Sequence, residues 1–252
     1  MVDKNSLLRN LIFELFPALL SSEDTEYLWQ LFRSHVNKRE PKPVSDNFIK
    51  NQDKLLQSMI AEKGITDIEN LKPIQKNLYL WRGDITTLKV DAIVNAANSG
   101  MLGCFVPCHA CIDNAIHTFA GVQLRLECAK IMSKQGHPEP TGKAKITAAY
   151  NLPCKFILHT VGAIIYDKVT DKDKLDLASC YRSCLELAEQ NNIESIAFCC
   201  ISTGEFHYPN EEAAKIAIQT VTDFLNSGNK KIKIIFNVFK EEDEQIYKRL
   251  LR

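Results

Sequence analysis

The sequence predicts an α/β fold in which a mostly parallel sheet is covered by helices on both faces, preceded by a helical extension. From residue 78 onward, short runs of strand-forming residues alternate with longer helical runs, the pattern of successive β-α units. Two of the short runs, 92–97 and 196–201, are almost continuously apolar, as strands buried on both faces of a parallel sheet are. The first part of the chain shows only helical periodicity. We therefore divide the chain into a helical extension, residues 1–75, and an α/β domain, residues 76–252.

Composition and charge limit the classes of partner. The chain has 252 residues, with 31 Lys plus Arg against 31 Asp plus Glu, and 45% of its residues are hydrophobic. A balanced charge argues against a strongly basic nucleic-acid surface. No run of about eighteen uncharged apolar residues is present, which excludes a transmembrane helix. The apolar stretch 7–20 contains Arg9, Asn10 and Glu14, so it does not resemble a secretory signal. We expect neither a nucleic-acid nor a membrane partner.

The cysteine content indicates a reducing compartment. Nine cysteines are present, an odd number in a chain that is too long to need a disulfide scaffold. Most of them should therefore be small buried hydrophobic residues. We expect a cytoplasmic protein.

Three helices are expected in the extension. The first has apolar residues at three- and four-residue spacing, which are Leu8, Ile12, Leu15, Phe16 and Leu19. The second should start near Ser21 or Ser22, where acidic residues follow in the first turn. Its buried face should comprise Leu28, Leu31, Phe32 and either His35 or Val36. The third should run from about Ser45 to Gly64, since glycine commonly ends a helix.

Six strands and four helical runs are expected in the α/β domain. The strands should cover 78–81, 92–96, 144–149, 156–160, 195–200 and 232–238. The helical runs should cover 110–134, 175–191, 211–226 and 242–250. In sheets of this kind, ligands bind beyond the carboxyl ends of the strands. The residues that directly follow the strands are therefore the first candidates for a functional site.

Polar loops follow three of the expected strands. Asp84 follows a glycine after the first strand and can accept a hydrogen bond from a ligand amine. Two amides, Asn95 and Asn98, end the second strand and precede two glycines. The loop 201–209 places hydroxyl residues and a glycine ahead of a helix, where backbone N–H groups can bind phosphate. Each loop alone could be an ordinary turn, but together they favour a site for a polar ligand.

A possible metal site follows the second of these loops. Cys104, His109 and Cys111 form the pattern C-x4-H-x-C, and thiolate and imidazole are the ligands that zinc prefers. Three protein ligands leave one tetrahedral position open, as in catalytic zinc sites. Cys108 is next to His109 and cannot easily face the same ion, so we place it outside the ligand set. The alternative is a chance group of buried cysteines with a hydrogen-bonded histidine.

The strand-end segments together resemble a macrodomain, the ADP-ribose-binding fold. The segments that carry the resemblance are Gly83-Asp84-Ile85-Thr86, 90–98, His159-Thr-Val-Gly162 and Ile201-Ser-Thr-Gly204. The run 103–117 is similar to a zinc-dependent branch of macrodomains found in microbes, which also has a helical N-terminal extension. The resemblance implies a three-layer α/β/α sandwich with a cleft for ADP-ribose and Zn²⁺ as cofactor.

The resemblance also implies roles for individual residues. Asp84 would hold the adenine amine, Asn98 would contact the distal ribose, and Phe206 would lie against that ribose. Asp113 falls where hydrolytic macrodomains place their catalytic aspartate, and it would orient or deprotonate the attacking water. Asn98 and Cys104 would assist catalysis. The implied ligand-binding residues are Asp84, Ile85, Asn98, Cys104, Ile112, Asp113, Asn114, Ser202, Thr203, Gly204, Glu205 and Phe206. Asn114 replaces a glycine of the family, and His117, His159 and His207 are interpreted as structural.

The activity that the resemblance implies is hydrolysis of mono-ADP-ribose from modified proteins. Members of the zinc-dependent branch are encoded in some genomes beside a sirtuin-like ADP-ribosyltransferase and lipoate-carrier machinery, so a lipoyl-carrier protein is one candidate substrate. The bond broken would be at C1 of the distal ribose, in an ester to an acidic side chain. Three alternatives remain open: a reader that binds ADP-ribose without cleaving it, a hydrolase of O-acetyl-ADP-ribose, and a zinc protein unrelated to ADP-ribose.

Overall fold

Three helices form the N-terminal extension in the computed structural model, which describes residues 2–17, 23–228 and 230–252. They are α1 (Lys4–Leu15), α2 (Thr25–Lys38) and α3 (Asp46–Lys63). Ser45 caps α3 through a hydrogen bond from Phe48 N, and Gly64 ends it with a φ of 88°, both as expected. Asp24 caps α2 by accepting from Glu26 N. Leu19 and the helix start expected near Ser21 or Ser22 lie outside the described residues.

The extension packs through the apolar face of each helix. The fully buried residues of α1 and α2 include Leu8, Ile12, Leu28 and Phe32. Val36 rather than His35 completes the buried face of α2. Leu31 is only half-buried, although it packs against the core as expected, and Trp29 is an additional buried residue of this helix.

Within the described residues, eight strands form two sheets. They are β1 (Thr66–Asp67), β2 (Leu78–Arg82), β3 (Leu88–Lys89), β4 (Ala92–Ala97), β5 (Ala144–Ala148), β6 (Phe156–Val161), β7 (Ser195–Phe198) and β8 (Lys233–Val238). The main sheet has the order β2-β8-β7-β4-β6-β5, in which only β5 is antiparallel. All six expected strands are confirmed. The two-residue strands β1 and β3 pair in parallel and were not predicted.

In the part of the chain that the structure describes, five α-helices accompany this sheet. They are α4 (Ile112–Ala120), α5 (Val122–Gln135), α6 (Asp171–Gln190), α7 (Asn210–Asn226) and α8 (Glu241–Leu250). The expectation of one helix over 110–134 is wrong, because Gly121 adopts a φ of 99° and separates α4 from α5. Helix α6 begins before residue 175 because Thr170 and Asp173 form a capping box.

Helices cover both faces of the sheet. Helices α6, α7 and α8 contact one another in series, whereas α4 pairs with α5 and also contacts α2 and α3. The predicted three-layer α/β/α arrangement with an N-terminal helical extension is therefore confirmed. The extension lies directly against α4, the helix that follows the cysteine-rich segment.

Two further expectations concern membrane segments and cysteines. Within the three described ranges, no helix combines the length and the apolar character needed to cross a bilayer. All nine cysteines have free thiols. Five of them are buried as expected, at positions Cys128, Cys154, Cys180, Cys184 and Cys199.

Candidate active site

The strand order arranges the polar loops in a row along one edge of the sheet. The strands β2, β8, β7, β4 and β6 are parallel, so their carboxyl ends meet at the same edge. Asp84 follows β2, the loop 199–206 follows β7, and Asn98 follows β4. An elongated ligand lying across this edge would meet these three groups in that order.

Asp84 stands at the β2 end of the row. One carboxylate oxygen accepts hydrogen bonds from the backbone N and the hydroxyl of Thr86, at 3.0 and 2.6 Å. The other accepts from Lys63 Nζ at 2.8 Å. Burial raises the pKa of Asp84, but the bonds from Lys63 and Thr86 outweigh it, and the pKa is lower than usual. The carboxylate therefore remains ionised, and Ile85 is buried beside it.

The loop after β7 is shaped for an anion. Ser202 is buried with a φ of 67°, and its hydroxyl has no partner among the described residues. A Cβ atom at Gly162 would lie 2.0 Å from Ser202 Oγ, so only glycine allows this approach. Within the described chain, the N–H groups of Gly204 and Glu205 donate to no protein acceptor. Free N–H groups in such a turn can bind a phosphate.

Phe206 and Thr203 complete this loop. Phe206 is half-buried, and its carbonyl accepts a hydrogen bond of 2.8 Å from Ile165 N, in the loop after β6. The Thr203 hydroxyl donates to Cys200 O at 3.0 Å. The loops after β6 and β7 are therefore joined by backbone contacts.

Asp113 lies at the centre of the candidate site. Its oxygens accept hydrogen bonds from Asn95 Nδ2 at 2.9 Å and from Asn98 Nδ2 at 3.2 Å. Burial raises the pKa of Asp113 to about 6, although both amides and the nearby Arg125 charge favour ionisation. The two amides at the end of β4 thus hold this carboxylate in one orientation.

Two buried histidines lie next to Asp113 and to Asn95, one of the amides that bind it. His159 bonds to Asn95 Nδ2 at 3.1 Å and to Thr147 Oγ1 at 2.9 Å. Burial lowers the pKa of His159 to about 3, so the ring is neutral. His117 lies 3.6 Å from Asp113 and packs where a Cβ of Gly103 would be. The structure therefore places both rings inside the protein.

The structure brings together the side chains of the predicted metal site, Cys104, His109 and Cys111, in the segment that follows Asn98. Their potential ligand atoms all lie within 4.8 Å of one another, and Cys104 Sγ is 3.5 Å from His109 Nδ1. Around zinc, tetrahedral bonds of about 2.3 Å to sulfur and 2.0–2.1 Å to nitrogen would separate the two donors by about 3.5 Å. Burial and the neighbouring Cys104 raise the pKa of the Cys111 thiol to about 12. A thiolate there therefore needs a nearby cation, which a metal would supply.

Cys108 points away from this group. Its Sγ lies 3.5 Å from Gln30 O of α2, and its backbone N donates to Asn37 Oδ1 at 2.9 Å. The residue has a φ of 53°, a left-handed conformation that is uncommon outside glycine. The geometry agrees with its exclusion from the predicted ligand set.

Glu205 extends from the loop after β7 to the cysteine-rich segment. Its Oε1 lies 3.5 Å from His109 Nε2, the nitrogen that faces away from Cys104. Carboxylates in this position commonly orient histidine ligands of metals. The resemblance implied only that Glu205 binds the ligand; its contact with His109 was not predicted, because no local pattern connects residues so far apart in sequence.

Asn114 and Ile112 occupy the first turn of α4. Asn114 is buried, and its amide donates to Val106 O at 3.0 Å and accepts from Arg33 Nη2 at 2.9 Å. Its side chain therefore binds protein groups, whereas Ile112 is half-buried. Four other contacting residues were missed by sequence reasoning, namely Arg33, Asn37, Lys63 and Arg125. No local signal could reveal them, since they approach the site only through tertiary packing.

A second group of metal-type side chains lies deeper in the domain. Donor atoms of His117, Cys128 and His159 lie within 4.8 Å of one another and are fully buried. Both ring nitrogens of His159 already have protein partners. The two histidines of this group belong to the buried side chains that surround Asp113 and Asn95.

Comparisons with known proteins show which proteins this chain is similar to. A family model described as "Macro domain" matches residues 94–217. A protein-ADP-ribose hydrolase of Treponema medium is 59% identical over 225 residues, covering 88% of this chain and 86% of that protein. A protein-ADP-ribose hydrolase of Staphylococcus aureus is 52% identical, covering 92% and 87%. The structure of a Trypanosoma brucei macrodomain in complex with ADP-ribose has a TM-score of 0.68 and 30% identity, covering 87% and 95%.

Proposed function

The chain belongs to the macrodomain family, and from this membership we propose that it is a hydrolase that removes mono-ADP-ribose from modified proteins. Two relatives more than half identical to it are protein-ADP-ribose hydrolases. The proposal includes zinc as the cofactor and an ester between ADP-ribose and an acidic side chain as the bond cleaved. A cytoplasmic location accompanies it, since nine free thiols suit a reducing compartment.

One observation carries the proposal. A buried carboxylate, Asp113, lies beside three zinc-type donors at the same strand edge that carries Asp84 and the phosphate-type loop. A site that only binds ADP-ribose has no need for a basic group held by two amides. Asp84 and Asp113 lie at different points along this edge of the sheet. Asp84 would mark the end that binds the adenine, and Asp113 the end at which hydrolysis occurs.

The donor set fits a zinc ion. Cys104, His109 and Cys111 would hold it, because they supply two sulfurs and one nitrogen within 4.8 Å of one another, and Cys104 Sγ and His109 Nδ1 are at tetrahedral spacing. With three protein donors, one coordination position would remain open, as in catalytic zinc sites. When bound, zinc would supply Lewis acidity to the reaction.

Different residues of the chain bind ADP-ribose and promote hydrolysis. Asp84 accepts the adenine amine, and the loop 202–206 binds the diphosphate through its N–H groups. Asn98 fixes the ribose, and such fixed geometry can contribute several kcal/mol. Asp113 accepts a proton from the water that attacks C1 of the distal ribose. The C1–O bond breaks, the protein carboxylate leaves, and the water oxygen remains on C1 of the released ADP-ribose.

The substrate is a protein that carries mono-ADP-ribose, and a lipoyl-carrier protein is one candidate. The resemblance to the microbial zinc-dependent branch supports this choice. Purified carrier proteins modified at an acidic side chain are suitable substrates for comparison with other modified proteins.

The test combines metal analysis with a hydrolysis assay. We expect the purified protein to contain about one zinc per chain and to release ADP-ribose from mono-ADP-ribosylated protein. Cys104→Ala and His109→Ala should lose metal and hydrolysis together, because each removes a ligand. Cys108→Ala is the matched control and should retain both. Full turnover by a variant shown to be metal-free would falsify the zinc role.

The same assay separates the alternatives. A reader would bind ADP-ribose in calorimetry but release none from the modified protein. A metabolite hydrolase would cleave O-acetyl-ADP-ribose faster than a competing modified protein. A flat calorimetric titration with ADP-ribose would instead indicate a zinc protein of another function.

A further inference from the structure

We propose that α2 of the helical extension positions the segment 104–111, through the side chains of Arg33 and Asn37. The inference rests on the proposed function, because that segment carries the proposed zinc ligands. It extends the proposal to residues that lie far from the ligands in sequence and outside the strand-end loops. Arg33 and Asn37 act as positioning residues, since neither belongs to the donor group.

Arg33 connects α2 to the C-terminal part of the segment 104–111 and to the first turn of α4. Its Nη2 donates to His109 O at 2.8 Å and to Asn114 Oδ1 at 2.9 Å. Asn114 in turn donates to Val106 O at 3.0 Å. One guanidinium therefore fixes the backbone of a proposed ligand and the first turn of the helix that follows Cys111.

Asn37 holds the residue that precedes His109. It is buried, its Oδ1 accepts from Cys108 N at 2.9 Å, and its Nδ2 donates to Thr118 Oγ1 at 3.0 Å. Cys108 has a φ of 53°, and a left-handed residue of this kind persists only where its surroundings impose it. The bond from Cys108 N to Asn37 is such a constraint, and it turns the chain so that His109 faces Cys104.

Helix α2 is itself fixed at its C-terminal end. The buried Arg125 of α5 donates through Nη1 to the carbonyls of Val36, Asn37 and Arg39, at 3.0, 2.9 and 2.6 Å. The same guanidinium lies 4.4 Å from the ring of Phe105, which belongs to the segment. Arg125 thus joins the end of α2 to the start of the segment, and α2 cannot shift without disturbing both.

Loss of these contacts should loosen the segment without unfolding the domain. Outer partners that orient metal ligands typically change metal affinity by about 10–100-fold when they are removed. Loss of the contacts with α2 does not change Cys104, His109 or Cys111. The three donor side chains therefore remain present but are less well placed to bind one ion. The expected defect is therefore weaker zinc binding, not loss of the fold.

The experiment compares three single variants of the full chain. Arg33→Met and Asn37→Ala remove the proposed contacts, and Lys38→Met removes an exposed positive charge from the same helix as the control. Zinc affinity is measured by competition with a chromophoric chelator, and amide exchange of the segment 104–111 is measured on the metal-free protein. Thermal unfolding reports the global fold of each variant.

We expect Arg33→Met and Asn37→Ala to weaken zinc binding by about 10–100-fold. Amide exchange in the segment should accelerate by about tenfold, because each variant loses buried hydrogen bonds. Lys38→Met should match the wild type in both measurements. The inference is overturned if amide exchange of the segment in both variants equals that of Lys38→Met, whatever the zinc affinities are.

The exchange measurement keeps this inference separate from the proposed function. A wild-type protein that binds no zinc and hydrolyses its substrate fully in chelator would contradict the zinc role. Amide exchange of the metal-free segment would still decide whether α2 positions it. Unchanged exchange in Arg33→Met and Asn37→Ala would overturn the positioning role even if zinc binding were established.

Discussion

Among single residues, Asp113 depends most on its neighbours. A carboxylate in a buried position is costly unless hydrogen bonds compensate, and here Asn95 and Asn98 provide them from the end of one strand. Asn95 also contacts His159, which is fixed by Thr147. The orientation of Asp113 is therefore determined by a chain of side chains that reaches from the site into β5.

Asp113→Asn should lower kcat strongly while leaving ADP-ribose binding nearly unchanged. The variant lacks a basic oxygen, and loss of a general base typically costs about 10²–10⁴-fold. The NH₂ group of the new asparagine can also face Asn95 Nδ2 and Asn98 Nδ2, which donate to the wild-type carboxylate, and it cannot accept their hydrogen bonds. Asp223→Asn, at an exposed position on α7, is the control. The role of Asp113 is contradicted if kcat for ADP-ribose release stays within about twofold of wild type, well short of the loss expected of a missing base.

The sequence could predict which side chains come together in the candidate site, but it could not predict most of the contacts within that site. Asp84, Asn98 and Asp113 lie in short segments at or after strand ends, where their residue types and the family resemblance marked them as candidates. The contacts of Glu205 with His109 and of Lys63 with Asp84 join residues distant in sequence. Such contacts depend on how loops and helices pack, and local residue patterns carry no record of that packing.

At the scale of elements, strands were predicted more accurately than helix boundaries. The central strands β4 and β7 are buried on both faces, so they form apolar runs that mark them clearly. The break between α4 and α5 was missed because the apolar pattern continues across Gly121. The positive φ of that glycine depends on tertiary contacts, among them the bond from Val122 N to Gln52 of α3.

One element contact should give the fold a measurable pH dependence. Asp91, just before β4, accepts hydrogen bonds from the N–H groups of Glu194 and Ser195, at 2.9 and 3.1 Å, and pairs with Lys155 at 2.7 Å. Burial raises the pKa of Asp91, but Lys155 and the backbone donors outweigh it, so the pKa is lowered. The carboxylate therefore stabilises the native state above its ordinary pKa, and this contribution is lost as pH falls through the lowered value.

Asp91→Asn should consequently lower the free energy of unfolding at pH 7 by about 1–2 kcal/mol. The difference from wild type should narrow as the pH falls below about 4, because the wild-type carboxyl also becomes neutral. Urea unfolding of both proteins at several pH values measures this difference in the free energy of unfolding. A difference that stays constant over that range would show that the charge of Asp91 does not stabilise the fold.

At the scale of the whole molecule, the extension and the α/β domain share one hydrophobic core. Trp29 of α2 contacts Phe119 of α4, with ring centroids 5.8 Å apart. Lys63 lies over the same Phe119 ring at 3.7 Å. Gln52 accepts from Val122 N at 3.0 Å, at the start of α5. The boundary predicted between residues 75 and 76 therefore marks a change in sequence pattern, whereas the hydrophobic core continues from the helical extension into the α/β domain.

A protein that comprises only residues 76–252 should be less stable than the full chain. Removal of the helices would expose Phe119 and leave Val122 N without its acceptor, and exposed apolar patches of this kind promote association. Size-exclusion chromatography and thermal unfolding of the two proteins provide the measurement. A monomeric fragment that unfolds at the wild-type temperature would show that the α/β domain is stable by itself.

The contact of α2 with the segment 104–111 also bears on protein engineering. A chimaera that received only this segment, within a host macrodomain lacking such a helix, would carry the two cysteines and the histidine. It would lack the partners that give Cys108 its left-handed backbone. Transplanting the metal-type motif would therefore require transfer of the N-terminal helices as well.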